Sequence, residues 1–556
     1  MLSDSKCVQF EGLRRREHVL FVLTIVAAAI FAHWGCLHAI FYLDDWEQIV
    51  GSDVIESGRW WTGGANAITY LTYWITWRAA GYSPQAYHVG NLGIHVLLAL
   101  SIYAFGHVFT SDLWPADRRR AWFAAGLAAL IFAVHPLTSE VTHYARARDH
   151  ELVGFFSFLV AVCTALWIRR GWRWFPALIL CSAGVAFSKG PGIWHAGLTV
   201  AIVVICISRR SDWCRLFPNR WWIYGSILTI EAGVAIFRDQ VVSLFLLALS
   251  QVQNWRFGWH LLTQSRVIWC YVWRMIVPVR LCCDHLVAWT RSFSDISAWL
   301  GAAGILVWVA FTIWLWLRRY RVQALLSLMI LGPLVLRFGY VVSELMVEYR
   351  TYPAMPWLAL AIGVGLTAAE PRFPRLVNFS AAVIVLSFVA LTTMRSHDWR
   401  SVQAVSANIL RQYPLQLRAY NGLSTADLRE GRYQAVLDRS SEFFQKLEQM
   451  MAVNRSNEIR YYDIWPLCAV SEECNIADAI LEIKGPAAAR ESLKAAATRM
   501  RVTGVKNEDL WVLWHFTMGK VEVRAGDGRA AQRQFNQVDD FIPRQKIDDE
   551  MAKLPH

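Results

Sequence analysis

Long apolar runs, separated by short polar stretches, recur from Val19 to Met394 and then cease. They lie at about 19–43, 89–110, 121–137, 151–168, 174–188, 191–208, 221–237, 297–317, 322–340, 354–369 and 376–394, with 264–281, broken by Arg274 and Pro278, as one more. A hydrocarbon core about 30 Å thick takes about 20 apolar residues per helical crossing, so the pattern predicts about eleven to thirteen crossings. The first run is long, no small-residue cleavage site follows it and acids come directly after, so it is expected to stay in place as a helix rather than be removed as a signal.

Beyond Met394 the apolar runs give way to charged, Gln- and Ala-rich helical periodicity up to His556. Two domains are therefore expected, 1–394 in the membrane and 395–556 as a soluble helical one. Arg418-Ala419-Tyr420-Asn421 with Leu423, Gly431, Tyr433 and Ala435 has the spacing of a tetratricopeptide-type helix-turn-helix, and Gly519, Gly526, Ala531 and Phe535 repeat it more weakly. Such a tail can bind a protein partner or simply cap the membrane domain.

Composition agrees: 55% hydrophobic residues, 29 Trp and only 18% charged residues, with a mean hydropathy of +0.30, are more apolar surface than one soluble core can hide. The fold class expected is all-α, a polytopic membrane bundle with a helical tail, and the lipid bilayer is its first partner. The formal charge of +12 does not point to nucleic acid, because the arginines fall in short clusters between apolar runs: Arg14 to Arg16, Arg118 to Arg120, Arg169-Arg170, Arg209-Arg210, Arg318-Arg319, and Arg372 with Arg375. Read as cytoplasmic anchors, they put the N-terminus inside. Asp44-Asp45, the 138–150 loop, the Lys189 turn, the 281–296 loop and the 341–353 loop then all lie outside, together with the tail. Both ends of 238–281 come out external, which favours a surface or re-entrant arrangement there. Of the 11 Cys, Cys36, Cys163, Cys181, Cys206 and Cys270 read as small buried hydrophobes, whereas Cys468 and Cys474 can pair if the tail faces an oxidising compartment.

Candidate chemistry gathers on that outer face. Two adjacent carboxylates, Asp44 and Asp45, at the end of a spanning helix are costly unless used. The stretch His135 to Glu151 carries Glu140, His143, Arg146, Arg148 and Asp149 on the side where arginine is disfavoured. Its arginines either bridge to Glu140, Asp149 and Glu151 or bind a phosphate with their forked donors. Lys189 sits in a glycine-flanked turn, where it reaches a lipid phosphate or snorkels. Asp284-His285 and Glu344, Glu348, Tyr349, Arg350 and Tyr352 complete the set. The acid pair can hold a divalent ion, but no further ligand set accompanies it, so no metal or other cofactor is assigned.

In this order, Phe41-Tyr42-Leu43-Asp44-Asp45, Tyr82 to His95, His135-Pro136 with Glu140 and Arg148, Ser188-Lys189-Gly190, Pro278 with Asp284-His285, Glu348-Tyr349-Arg350, and Trp399-Arg400 leading into the repeats, the chain resembles the GT-C glycosyltransferases of the transmembrane-and-tetratricopeptide O-mannosyltransferase type and their bacterial relatives. The resemblance implies an inverting hexosyltransferase of a bacterial inner membrane, with active site and tail on the periplasmic side. Its donor would be a polyprenyl-phosphate sugar and its acceptor a protein hydroxyl or a glycan. It makes Asp44 or Asp45 the general base, with Asp44 favoured, gives the lipid phosphate to Arg146, Arg148, Lys189 and Arg350, and leaves Glu140, His143, Asp284, His285 and Glu348 to shape the pocket. Two positions depart from the relatives: Lys189-Gly190 stands where they usually have Lys-Glu, and Glu348-Tyr349-Arg350 stands for a Glu-His-Arg type motif. Other readings of the same residues are an O-antigen ligase or polymerase, a transporter of lipid-linked sugar, and a scaffold acting through its tail.

Overall fold

The computed structural model describes residues 15–190, 192–208, 257–339, 344–455, 460–461, 465–502, 508–538, 542 and 544–554. They are helical almost throughout, as the all-α expectation requires. The one extended pairing among the described residues is antiparallel, Ala288–Trp289 (β1) with Arg460–Tyr461 (β2). The chain divides into two compact units. The first comprises Met1–Cys283, Ser294–Val342 and Val347–Ser401, and the second Asp284–Phe293, Ser343–Met346 and Val402–His556.

In the first unit the described helices of ten residues or more are α1 (Arg15–His33), α2 (Ala67–Ala80), α3 (Pro84–Thr110), α4 (Arg118–Val134), α5 (Arg148–Arg170), α6 (Phe175–Ser188), α7 (Gly192–Ile207), α8 (Phe257–Ile276), α9 (Ile296–Leu317), α10 (Arg321–Val335), α11 (Met355–Ala369) and α12 (Pro374–Ser396). Six stretches are long and apolar enough to cross a membrane: Arg15–His38, Pro84–Thr110, Ala145–Arg170, Ile296–Leu317, Glu348–Ala369 and Pro374–Trp399. Arg118–Val134 with Pro136–His143, bent by 54°, makes a seventh if counted as one. Helices α7 and α10 are apolar but have 16 and 15 residues. They therefore extend about 22–24 Å, less than the hydrocarbon thickness of about 30 Å. With α6, at 14 residues, they account for part of the difference between the full-length spans among the described residues and the eleven to thirteen expected. The expected crossing at 221–237, and residues 238–256 of the stretch expected to lie on the surface or re-enter, are outside the described residues.

Burial separates a central helix from peripheral ones. In Ala145–Arg170, 83% of the apolar window is buried, against 11% in Ile296–Leu317 and 17% in Pro374–Trp399. On α9, Ile296, Leu300, Val307, Phe311 and Trp314 are exposed along one face, an apolar stripe that water disfavours. Where helices touch one another, small residues let the backbones approach. A Cβ on Gly363 of α11 would lie 2.5 Å from the Ala124 carbonyl oxygen of α4, and one on Gly106 of α3 would lie 3.1 Å from the Ala125 Cβ.

The first apolar run departs from expectation in a way that matters for the site. It is α-helical only to His33, tightens into a 3-10 turn over Trp34–His38, and is then non-helical up to the acids. The turn passes against α12: a Cβ on Gly35 would lie 2.3 Å from Ser396 Cβ, and the Ile40 N–H donates to the Trp399 carbonyl at 3.2 Å. Asp44 and Asp45 therefore stand beyond the end of α1, at the start of a separate one-turn helix, Asp45–Gln48, whose first turn they open.

The second unit is built of α13 (Val402–Gln412), α14 (Leu417–Arg429), α15 (Tyr433–Arg455), α16 (Trp465–Lys484), α17 (Pro486–Val502), α18 (Glu508–Arg524), α19 (Gly528–Phe535) and α20 (Arg544–Met551). The two motifs read in the sequence are two helical hairpins, α14 with α15 and α18 with α19. Their turns run through Gly431 (φ 72°) and Gly526 (φ 80°), left-handed positions that favour glycine. A Cβ on Gly519 would lie 2.4 Å from the Phe535 ring, so the glycine admits the aromatic into the hairpin core. Arg418 on α14 holds both loop segments of this unit, reaching Glu344 at 3.0 Å and Asp284 at 3.6 Å. Cys468 and Cys474 are free thiols, so the disulfide considered from the sequence does not form. They lie on one helix, α16, where six residues of rise place them about 9 Å apart, beyond disulfide reach.

Candidate functional site

The geometry starts at the acid loop. Leu43 adopts φ 44°, a left-handed conformation costly for a branched side chain. The turn is held by Asp45, whose Oδ2 accepts from the Tyr42 N–H at 2.9 Å and whose Oδ1 accepts from the Arg146 N–H at 2.7 Å. Asp45 is completely buried. Burial pushes its carboxyl up to about 7, against the opposing pull of the two N–H groups. Asp44 differs in every respect: it is half-buried, and among the described residues no group bonds or bridges to its carboxylate. One acid is thus committed to structure, and its neighbour is left available.

Arg146 carries the site to the start of α5. Its guanidinium donates to Asp149 Oδ2 at 2.6 Å. The Lys189 ammonium donates to the same oxygen from the α6–α7 turn, and His150 Nδ1 meets Asp149 Oδ1 at 2.7 Å. The Asp149 side chain is 1% exposed while Arg146 and Lys189 retain 18% and 23%, so the carboxylate is sealed beneath two cations that reach the surface. The backbone at Lys189 is fixed from both sides. Thr69 donates to the Ser188 carbonyl at 2.7 Å. A Cβ on Gly192 would lie 2.0 Å from the Val185 carbonyl oxygen, so the tight turn admits only glycine there.

Arg148, read as a phosphate ligand, is spent inside the protein. It is 1% exposed, and it donates to Asn91 Oδ1 at 2.6 Å, the Tyr87 carbonyl at 2.6 Å, Thr76 Oγ1 at 3.2 Å and Thr72 Oγ1 at 3.4 Å. Its guanidinium also lies 4.9 Å from the Tyr73 ring centre. Tyr73 in turn donates to the Ala145 and Arg146 carbonyls at 3.0 and 3.3 Å. Helix α2 is therefore a buttress: Thr69, Thr72, Tyr73 and Thr76 form one polar stripe that supports Lys189 and both arginines. That helix was not among the apolar runs. The signal that could have found it is the spacing of those four residues, repeated at three and four along an otherwise apolar stretch.

The third group lies on the Glu348–Ala354 turn. Glu348 is fully buried, accepting from the Cys282 N–H at 2.8 Å and the Arg395 guanidinium at 2.6 Å. Glu140 Oε2 accepts from the Tyr349 N–H at 2.7 Å. These bonds present Tyr349, whose ring centre is 4.4 Å from that of His150, and hold Arg350 beside it, 6.0 Å from the Tyr349 ring centre. His143 is an internal tie, 2.8 Å from Ser396 Oγ and 2.8 Å from the Ser139 carbonyl. Asp284 and His285 belong to the second unit, where His285 meets the Tyr413 hydroxyl at 2.9 Å.

Contacts within the first unit thus bring together the loops of Asp44-Asp45, Glu140 to Asp149, Lys189 and Glu348 to Arg350, and of the 281–296 loop only its start at Cys282, its candidates Asp284 and His285 lying in the second unit. Arg395 and Asn91 carry no role in the sequence reading, yet each is the direct partner of a residue that does. Among the described residues no three His, Cys, Asp or Glu side chains are placed to hold a metal ion. No family model, curated protein or solved structure matches the chain.

Two outcomes are expected. Arg148→Ala strands Asn91 Oδ1 and the threonine hydroxyls, and lowers stability by about 2–5 kcal/mol. Arg146→Ala, which leaves Lys189 and His150 on Asp149, costs less than Arg148→Ala because Asp149 keeps charged partners. Thermal unfolding in detergent or nanodiscs reads both. For Asp45, a folded value of about 7 against the ordinary 3.8 means that the fold favours the neutral acid. The associated stability is complete below about pH 4 and is lost as pH rises through about 7, a change on the order of 4 kcal/mol. Wild-type stability between pH 5 and 7 should therefore fall with pH more steeply than that of Asp45→Ala; parallel profiles would contradict this.

Proposed function

We propose that the protein is an integral, multi-pass membrane glycosyltransferase of the GT-C kind, moving a sugar from a polyprenyl-phosphate carrier to a hydroxyl outside the cytoplasm with inversion at the anomeric carbon. The observation that carries the reading is the half-exposed Asp44 carboxylate, without a partner among the described residues, fixed through Asp45 to the backbone of Arg146. A base and a phosphate-binding cation are what this displacement requires on one site.

In the proposed reaction the acceptor oxygen attacks the anomeric carbon while Asp44 takes its proton. The bond from the anomeric carbon to the phosphate oxygen breaks, and the electron pair leaves with the polyprenyl phosphate. Arg146 and Lys189 stabilise that developing charge, with Arg350 supplying a further cation from the Tyr349 side. Asp45, Arg148, His143, Glu140 and Glu348 position the loops. The exposed apolar faces of α9 and α12 supply the lipid-facing surface such a donor needs. The helical hairpins of the second unit fit a tetratricopeptide-like tail that would recruit a protein or glycan acceptor. A bacterial inner membrane with the site on the periplasmic face is the setting this reading implies.

Purified protein in nanodiscs, given polyprenyl-phosphate hexoses and hydroxyl acceptors, tests the proposal. Asp44→Asn should lose about 100-fold or more of turnover. Asp45→Asn, which sets an amide N–H against a backbone N–H, should also fall. Full turnover in both single variants and in the double variant would overturn the assignment, and lipid movement without a new glycosidic bond would point to a transporter.

A further inference from the structure

We propose that Asp149 is the positioning residue of the phosphate site, orienting the Arg146 and Lys189 side chains from α5. The inference rests on the transferase reading above.

Three features lead to it. Two cations from separate elements, Arg146 just before α5 and Lys189 in the α6–α7 turn, converge on the single oxygen Oδ2. Like charges brought that close would otherwise separate. The backbone beneath Lys189 is already fixed by Thr69 and by the glycine contact at Gly192. What remains to be set is the direction of its flexible four-carbon side chain, and Asp149 sets it. The carboxylate is sealed from solvent while both cations keep an exposed edge, so an incoming anion meets the cations and not the acid. His150 on Oδ1 uses the other oxygen and, through its contact with Tyr349, ties the cluster to the turn that carries Arg350. Pre-set donors of this kind bind and stabilise charge without reorganising when it appears.

The sign of one measurement separates positioning from mere counter-charge. Removing a negative charge from beside two cations should tighten the binding of any anion if Asp149 does nothing but neutralise. If Asp149 holds the cations in place, binding should weaken despite the gain in net positive charge. Affinity for neryl monophosphate, a short soluble polyprenyl phosphate, is measured on the full-length chain in nanodiscs for wild type, D149N and D149E, with unfolding temperature followed in parallel. The expected result is about tenfold weaker binding in D149N, an intermediate value in D149E, and a less than additive loss when D149N is combined with K189Q, the remainder being the part that acts through Arg146. Binding in D149N equal to or tighter than wild type, or additive losses with K189Q, overturns the inference alone. No binding by the wild type overturns the transferase reading and this inference with it. If D149N does not fold, the carboxylate-retaining D149E carries the same comparison, and wild-type affinity in D149E overturns the inference.

Discussion

A single carboxylate joins parts of the chain 101 residues apart: Asp45 takes the Arg146 N–H at 2.7 Å while closing its own turn on Tyr42. The acid loop and the start of α5 are held together by that bond. It fixes the left-handed turn at Leu43, leaves Asp44 free of protein partners among the described residues, and sets the acid loop against the cationic start of α5. The energetic tension is visible in Asp45 itself, whose charge is disfavoured by burial and favoured by two backbone donors. Such a group is an anchor, and an anchor of this cost makes sense where the geometry of its neighbours matters.

The supports of the site are polar side chains set into apolar helices. The threonines and Tyr73 of α2, Asn91 on α3, and Arg148 on α5 form a closed set of bonds beneath the cations. Glu348 with Arg395, and Glu140 with the Tyr349 N–H, support the last turn from beneath. In a low-dielectric interior each member left unpaired would cost more than the bond contributes, so the sets hold together as units. The result is a division of labour: buried charged groups give rigidity, while Asp44, Arg146 and Lys189 keep exposed edges.

Much of this was legible in the sequence because apolar runs and arginine clusters report helices and loops directly. Asp44, Asp45, Arg146, Lys189 and Glu348 were all picked out as residues too costly to be idle, and the helical tail after Met394 was evident from its composition. What the sequence could not distinguish was which charge is spent on structure. Arg146 and Arg148 look alike in a line of letters, but residue 148 faces Asn91 and Tyr87, whereas residue 146 keeps an exposed edge beside Asp149. The same holds for Asp44 and Asp45. The early end of α1 at His33 is hidden because Trp34 to Leu43 remains largely apolar; the helix gives way to the 3-10 turn where Gly35 passes close against Ser396. Helix α2 escaped notice because its polar stripe interrupts the hydropathy that marks a span.

The most direct measurement is the structure of the protein in nanodiscs, determined by cryo-electron microscopy with a polyprenyl phosphate bound. The account predicts the lipid phosphate in contact with Arg146 and Lys189, on the side from which Asp44 can reach an acceptor, with Arg148 unchanged in its internal bonds. A phosphate bound elsewhere, out of contact with Arg146 and Lys189 and with Asp44 facing no ligand, would contradict it.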